Sequence, residues 1–338
     1  MPYYSDPSPY PGIHRFKLPL TGSPLKYINA YLIPGRDGHL LIDTCWKFSD
    51  AAQALDQELK AIDINPADIK RIIITHAHVD HYGLAAGVIK QSNARLALHA
   101  VENKMINLRY RQSYRFSLDA NAIWRTSGVS ERYIPDPKEM VNRYHQMVTI
   151  AEPDELFQGG EIIDHNEFRF EVIWTPGHSP GHICLYDANH KLFFSGDHIL
   201  PGITSNIGLH PHSGPNPLGD YMGSLRNIAH LDVDLMLPAH GPPIKGFTNR
   251  IKHILAHHQK RLDEMLQILT TCTEPVNAFT LVTRMKWYSK GAPNTWQSLR
   301  DFDQRLAISE VMAHLELMAA DGRLIKQERD GIFYYQCS

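Results

Sequence analysis

Seven consecutive residues limit what this chain can fold into more than any other part of it: Thr75-His76-Ala77-His78-Val79-Asp80-His81. The aliphatic stretch before them, Ile72-Ile73-Ile74, reads as a buried strand. Four candidate metal ligands then fall within six residues at the mouth of that strand. A core strand does not carry so many polar side chains without partners to satisfy them. Imidazole and carboxylate are the groups that a borderline divalent cation such as zinc prefers. A hydrated polar loop accounts for any one of these histidines, but not for the run.

The rest of the composition allows such a site without forcing it. At 338 residues with 43% hydrophobic side chains, the chain can bury a sizeable core without disulfide staples. A net charge of −2 argues neither for nor against nucleic acid or membrane surfaces. The 20 histidines are more informative than the charge. Cys45, Cys184, Cys272 and Cys337 are scattered, which suits a reducing compartment better than a zinc ribbon or a disulfide framework. Residues Met1 to Pro7 lack the basic patch and apolar core of a signal peptide, and no segment has the length of a membrane span. The cytoplasm is the expected location.

Periodicity outlines an α/β chain. Tyr27 to Ile33 and Leu40 to Ile42 flank Gly35-Arg36-Asp37-Gly38, a hairpin signal. Ala51 to Ile62 has helical spacing, Gly83 to Lys90 reads as the helix after the histidine run, and Leu96 to Leu98 resumes a strand. Residues 102–147 break this rhythm and predict a mostly helical insertion, either a lid or substrate wall, or a peripheral packing or dimer element. Strand patterns return at Phe168 to Trp174, Ile183 to Tyr186, Leu192 to Phe194 and Leu235 to Leu237, with a helix from Leu218 to Ala229. Two such halves predict a two-layered sheet core covered by helices. Beyond Pro242-Pro243 come a long amphipathic helix (Ile251 to Leu269), helices near Ala278 to Met285 and Ser309 to Ala320, and a hairpin, Leu324 to Arg329 with Ile332 to Gln336. That order outlines a winged-helix-like module. The expected division is a catalytic domain over 1–250 and this module over 251–338.

Three further patches repeat the opening device, an apolar strand with a ligand-type residue just past its end. They are Trp174-Thr175-Pro176-Gly177-His178-Ser179-Pro180-Gly181-His182, Phe193-Phe194-Ser195-Gly196-Asp197-His198 and Leu235-Met236-Leu237-Pro238-Ala239-His240-Gly241. With the first motif, the set resembles the metallo-β-lactamase superfamily over about Ile13 to Arg250. The resemblance implies an αββα sandwich and two divalent ions, zinc by default with iron or manganese as alternatives. One ion would be held by His76, His78 and His178, the second by Asp80, His81 and His240, with Asp197 bridging. It implies a supporting role for His182 and none in coordination for His198. Two such ions ~3.5–4 Å apart share a water and lower its pKa toward ~7. Asp80 would orient the resulting hydroxide and receive a proton. Cys45, His210 and Tyr221 are candidate substrate contacts.

The fold alone does not choose a substrate. Ser195 to Gly202, Asn216 to Tyr221 and the C-terminal module resemble the lactamase-beta-2-like hydrolases, whose core is similar to that of glyoxalase II. The expectation is therefore hydrolysis of an activated acyl bond, a thioester or a lactone, on a small-molecule substrate. A thiolate leaving group, with a pKa of only ~8.5, needs no dedicated acid. His78 stands where flavin-linked di-iron relatives have an acidic ligand, which disfavours that chemistry. A phosphodiesterase or endoribonuclease acting on single-stranded nucleic acid is the alternative. Against it, residues 251–338 hold 11 Lys/Arg and 10 Asp/Glu, too balanced for affinity resting on phosphate contacts. That module is expected to pack on the core, frame the entrance or mediate a homodimer. A non-catalytic scaffold is a third reading, disfavoured because no ligand is missing.

Overall fold

In the computed structural model, which describes residues 8–289 and 292–338, two mixed β-sheets lie face to face between layers of helix. The N-terminal segment through Pro7 lies outside the described residues. The first sheet runs β1 (His14–Pro19), β2 (Tyr27–Ile33), β3 (His39–Ile42), β4 (Ile69–Ile73), β5 (Arg95–His99) and β6 (Glu155–Phe157) in spatial order. Strands β1 to β3 pair antiparallel and β3 to β6 parallel. The second sheet is formed by β7 (Ile162–His165), β8 (Phe168–Trp174), β9 (Ile183–Asp187), β10 (Leu192–Gly196) and β11 (Leu235–Pro238). Its pairing is antiparallel from β7 to β10 and parallel between β10 and β11. Strands β8, β10 and β11 therefore point the same way, and so deliver their C-terminal ends to one rim.

Ile33, Ile42, Ile73, Phe170, Val172, Leu185 and Phe194 fill the space between the sheets. The outer face of the first sheet is covered by α1 (Ser49–Ala61), the short α2 (Val79–Tyr82) and α3 (Ala85–Ser92). Between β5 and β6 lie α4 (Ala100–Ile106), α5 (Ser113–Thr126) and α6 (Pro137–Met147), so the segment after the first metal motif is helical. The outer face of the second sheet carries α7 (Pro217–Ile228), α8 (Phe247–Thr270), α9 (Ala278–Arg284) and α10 (Asp301–Ala320). No helix among the described residues is long and apolar enough to cross a membrane.

The C-terminal residues add two hairpins, β12 (Trp287–Ser289) with β13 (Ala292–Asn294), and β14 (Leu324–Arg329) with β15 (Ile332–Cys337). They do not build a separate core. Ile254, Leu262, Leu281, Val311 and Leu324 join one apolar cluster with Phe193, Leu218 and Leu225. Helix α10 starts at Asp301, eight residues before the periodicity places it. Its apolar residues are buried on several sides (Ala307, Ile308, Val311, Met312, Leu315, Leu317), so no single stripe marks it. Asp301 and Asp303 in its first turn complement the positive end of the helix dipole.

Candidate metal centre

The four ligand-type patches meet at one rim of the sandwich. Strand β4 ends at Ile73, and the chain then runs through Thr75 into α2, so that His76, His78, Asp80 and His81 leave one short loop and a single helical turn. Strands β8, β10 and β11 deliver His178, Asp197 and His240. Donor atoms of His76, His78 and His178 cluster together, as do those of His76, His81 and Asp197, and those of Asp80, His81 and His240. His78 Nδ1 lies 2.9 Å from His76 Nε2 and 3.0 Å from His178 Nε2. Asp197 Oδ1 lies 3.5 Å from both His81 Nε2 and His240 Nε2, and its Oδ2 3.6 Å from His178 Nε2. Asp80 Oδ2 is 3.4 Å from His240 Nε2.

The outer nitrogens of three of these imidazoles are already engaged, and this fixes which nitrogen faces inward. His178 Nδ1 donates to the Asn206 carbonyl at 3.0 Å, and His240 Nδ1 to the Tyr27 carbonyl at 2.9 Å. His81 Nδ1 donates to Asp43 Oδ2 at 2.8 Å. Each Nε2 is left as a lone pair aimed at the centre, the arrangement in which an outer partner sets the tautomer of a metal-binding histidine. Nε2 of His81, Nε2 of His240 and Oδ1 of Asp197 are buried and meet no hydrogen-bond partner among the described residues. Buried polar atoms without a partner are costly. A cation satisfies nitrogen and carboxylate lone pairs at once, so this donor set fits divalent metal ions.

The carboxylates here favour positive charge at the centre, whether a proton or a metal cation. Burial opposes protonation of His81, but Asp43 and Asp197 outweigh it and hold its pKa well above the usual value. His240 is raised likewise, by Asp197 and Asp80 against burial. Burial works against ionisation of Asp197 too, yet His240 and His81 pull its pKa well below the ordinary carboxylate range. His76 and His78 are driven well below 6.5, by burial first and by neighbouring imidazoles second. Asp197 held ionised, and His76 and His78 held neutral, are in the protonation states that metal binding requires.

Two carboxylates that the sequence motifs do not reveal hold this assembly in place. Asp43, with its backbone in the left-handed region at φ +57°, accepts from the Thr75 backbone N–H and from Thr75 Oγ1, both at 2.8 Å, besides its bond to His81. Glu102 is wholly buried and ties the two ligand loops together. One of its oxygens accepts from the Ala77 backbone N–H, the other from Ser179 Oγ and the Gly181 N–H. Asp43→Ala is expected to cut metal affinity or turnover by ~10- to 100-fold. Equilibrium metal titration checks this, and an unaltered affinity with unaltered turnover would show that Asp43 supports only the fold.

His182 is turned away from the centre. Its Nε2 accepts from the Asp197 backbone N–H at 3.1 Å and its Nδ1 contacts Thr175 Oγ1 at 2.9 Å, so it positions Asp197. Gly196 allows this approach: a Cβ there would lie 2.6 Å from His182 Nε2, and its φ is +48°. His198 is buried behind it, and is in none of the donor clusters.

The three expected substrate contacts divide. Cys45 is fully buried, its thiol toward the Pro19 carbonyl 3.6 Å away, and burial raises its pKa well above the ordinary range. Tyr221 is fully buried too, its hydroxyl donating to the His198 carbonyl at 2.8 Å and its backbone packed against Gly177. Tyr221 thus braces the turn that carries His178. Neither side chain faces a substrate, which corrects that expectation for both. His210 is half-buried, and its pKa is pushed down to about 3 by burial and by the charges of Arg109 and His178. It alone of the three is not fully buried.

A two-layered sheet core between helices, with His/Asp donors gathered on one rim, defines a class of fold and site. The family to which it corresponds matches directly: the metallo-beta-lactamase superfamily model covers residues 24–240, and the chain belongs to that superfamily. A probable metallo-hydrolase, YqjP, of Bacillus subtilis is 24% identical over 320 residues, 91% of this chain and 92% of its own length. An acyl-coenzyme A thioesterase, MBLAC2, of Gallus gallus is 30% identical over 173 residues, which span 50% of this chain and 55% of that protein. Among solved structures, a metallo-beta-lactamase family protein from Thermus thermophilus superposes with a TM-score of 0.83 at 28% identity, covering 97% of this chain and 99% of the other.

Proposed function

We propose that the protein is a metal-dependent hydrolase that cleaves an activated acyl bond, with a thioester as the favoured substrate. The observation that carries the reading is the convergence of seven His and Asp side chains, three of whose inward lone pairs have no other partner. His76, His78 and His178 would hold one ion, Asp80, His81 and His240 a second, and Asp197 both. Two divalent ions so held, zinc by preference, would supply Lewis acidity and a nucleophile drawn from water at neutral pH. The protein's own part is to hold the donors in fixed positions and tautomers. Asp43 holds the His81 tautomer, His182 holds Asp197, and Asp80, beside His240, is the carboxylate placed to accept a proton from an attacking water. A thiolate needs no protonation to depart, and the reading assigns no general acid.

The likeness to an acyl-coenzyme A thioesterase supports the thioester reading, and the name of the Bacillus relative supports hydrolysis in general. The C-terminal helices and hairpin are proposed to be a winged-helix-like module used for packing rather than for nucleic acid. Four free cysteines support a cytoplasmic setting. The test is a hydrolysis panel on zinc-loaded protein with acyl thioesters, lactones, β-lactams and single-stranded RNA. Thioesters are expected to be the best substrates. Cleavage of RNA alone would overturn the acyl reading while leaving the metal centre standing.

A further inference from the structure

Arg109 is a buried cation beside the metal centre that serves none of the roles assigned above. It lies at 7% exposure in a single π-helical turn, Asn107–Arg111, that interrupts the helical segment after α4. Such turns are wide, strained and frequent at functional sites. The next residue fixes where this turn sits: Tyr110 Oη donates to the carbonyl of Ala77, the residue between His76 and His78. The guanidinium lies over the Phe116 ring at 5.5 Å. Its positive charge acts on His78 and His210.

Among the described residues, the surroundings of Arg109 hold no free anion for it. The side chains that act on its charge most are the phenols of Tyr110 and Tyr144. Burial raises the pKa of both phenols, so they are neutral at physiological pH. Glu102, the carboxylate that acts on the guanidinium, already accepts bonds from Ala77, Ser179 and Gly181. A buried cation without a carboxylate in contact is costly to keep, and arginine is the side chain best shaped to hold a planar or tetrahedral oxyanion in a fork.

We propose that Arg109 binds an anionic oxygen group of the substrate, a carboxylate or a phosphate, and so selects thioesters that carry that group over those that lack it. This rests on the thioester reading above. The group comes either from the acyl chain or from the thiol carrier. Four substrates separate these sources: butanoyl and succinyl thioesters, each on N-acetylcysteamine and on coenzyme A.

In Arg109→Gln, KM is expected to rise roughly 10- to 100-fold for the substrates bearing the recognised anion, the loss expected for one charge-assisted contact. The uncharged butanoyl N-acetylcysteamine thioester should change far less. A rise confined to the succinyl pair assigns the acyl carboxylate, and one confined to the coenzyme A pair assigns a carrier phosphate. Equal changes on all four, or none, would overturn the proposal. Arg109→Met gives a second charge-free variant, since a buried charge replaced by an apolar group of similar volume is often tolerated.

Calorimetric titration of succinate and of coenzyme A into wild type and both variants needs no turnover. If no thioester is hydrolysed, the thioester reading fails, and these titrations still decide the role of Arg109. One of the two ligands is expected to bind roughly 10- to 100-fold more weakly to the variants, on the same grounds. Unchanged affinity for both overturns the role.

Discussion

Asp197→Ala is expected to abolish hydrolysis and to lower the bound metal, measured by emission spectrometry, below that of wild type. Its carboxylate reaches three members of the centre: one oxygen lies 3.5 Å from both His81 Nε2 and His240 Nε2, the other 3.6 Å from His178 Nε2. Its removal takes away a negative charge on which both candidate ion positions depend. It also removes one of the two carboxylates that raise the pKa of His81. The polypeptide path should survive, because His182 grips the Asp197 backbone N–H and not its carboxylate. Circular dichroism and thermal unfolding of the metal-free variant should therefore match metal-free wild type. Asp197→Asn keeps the volume and one neutral oxygen, and is expected to retain more metal than the alanine variant. A variant that kept full metal and full turnover would contradict the bridging assignment.

Acid should destabilise the protein at a buried histidine pair that is no part of the candidate metal centre. His258 on α8 and His314 on α10 are buried and in contact, His258 Nδ1 to His314 Nε2 at 3.2 Å, while His314 Nδ1 donates to the Glu310 carbonyl. Burial, then the neighbouring imidazoles and Arg261, holds His258 at about 2. Burial and Arg261, partly offset by the Glu310 carbonyl, hold His314 at about 4. Both pKa values are lower folded than unfolded, so the unfolded chain takes up more protons as the pH falls. The contribution is fully present above the unfolded value of 6.5 and is lost below it. Between about pH 6.5 and pH 5 the loss is roughly 2 kcal/mol for each histidine held neutral. Urea midpoints at the two pH values, for wild type and for a His258→Leu, His314→Leu double variant, measure it. The double variant should lose less stability on acidification, and an equal loss would place the acid sensitivity elsewhere.

How far the site is legible in the sequence depends on how local its signals are. Each ligand-type residue follows an apolar strand within a few positions, so strand and ligand are read together: Ile74 to His76, Trp174 to His178, Phe194 to Asp197, Leu237 to His240. The supporting carboxylates have no such signature. Asp43 acts on residues 32 and 38 positions away, and Glu102 on residues 25, 77 and 79 positions away. A lone acidic residue in a sequence carries no mark of such partners. Tyr221 and Cys45 fail as substrate contacts for the converse reason: nearness along the chain to ligand motifs says nothing about which way a side chain is packed. Strand β1 escapes notice because its inner and outer faces are both covered, with Phe16 and Leu18 on one side and Arg15 nearly enclosed on the other, so no clean alternation survives. The hairpin β12–β13 is too short to show a period.

The loop that carries Asn206 links the C-terminal helices to the candidate metal centre. The Asn206 carbonyl receives the His178 proton, while its side-chain amide reaches the Leu306 carbonyl at 3.4 Å and the Leu209 N–H donates to the Ser309 carbonyl at 3.1 Å, both on α10. Excising everything after residue 250 would thus strip a scaffold from behind His178, a candidate ligand, as well as bare an oily face. A version shortened in that way is a poor starting point for engineering, whereas tuning contacts along α10 offers a handle on that centre that leaves every candidate ligand untouched.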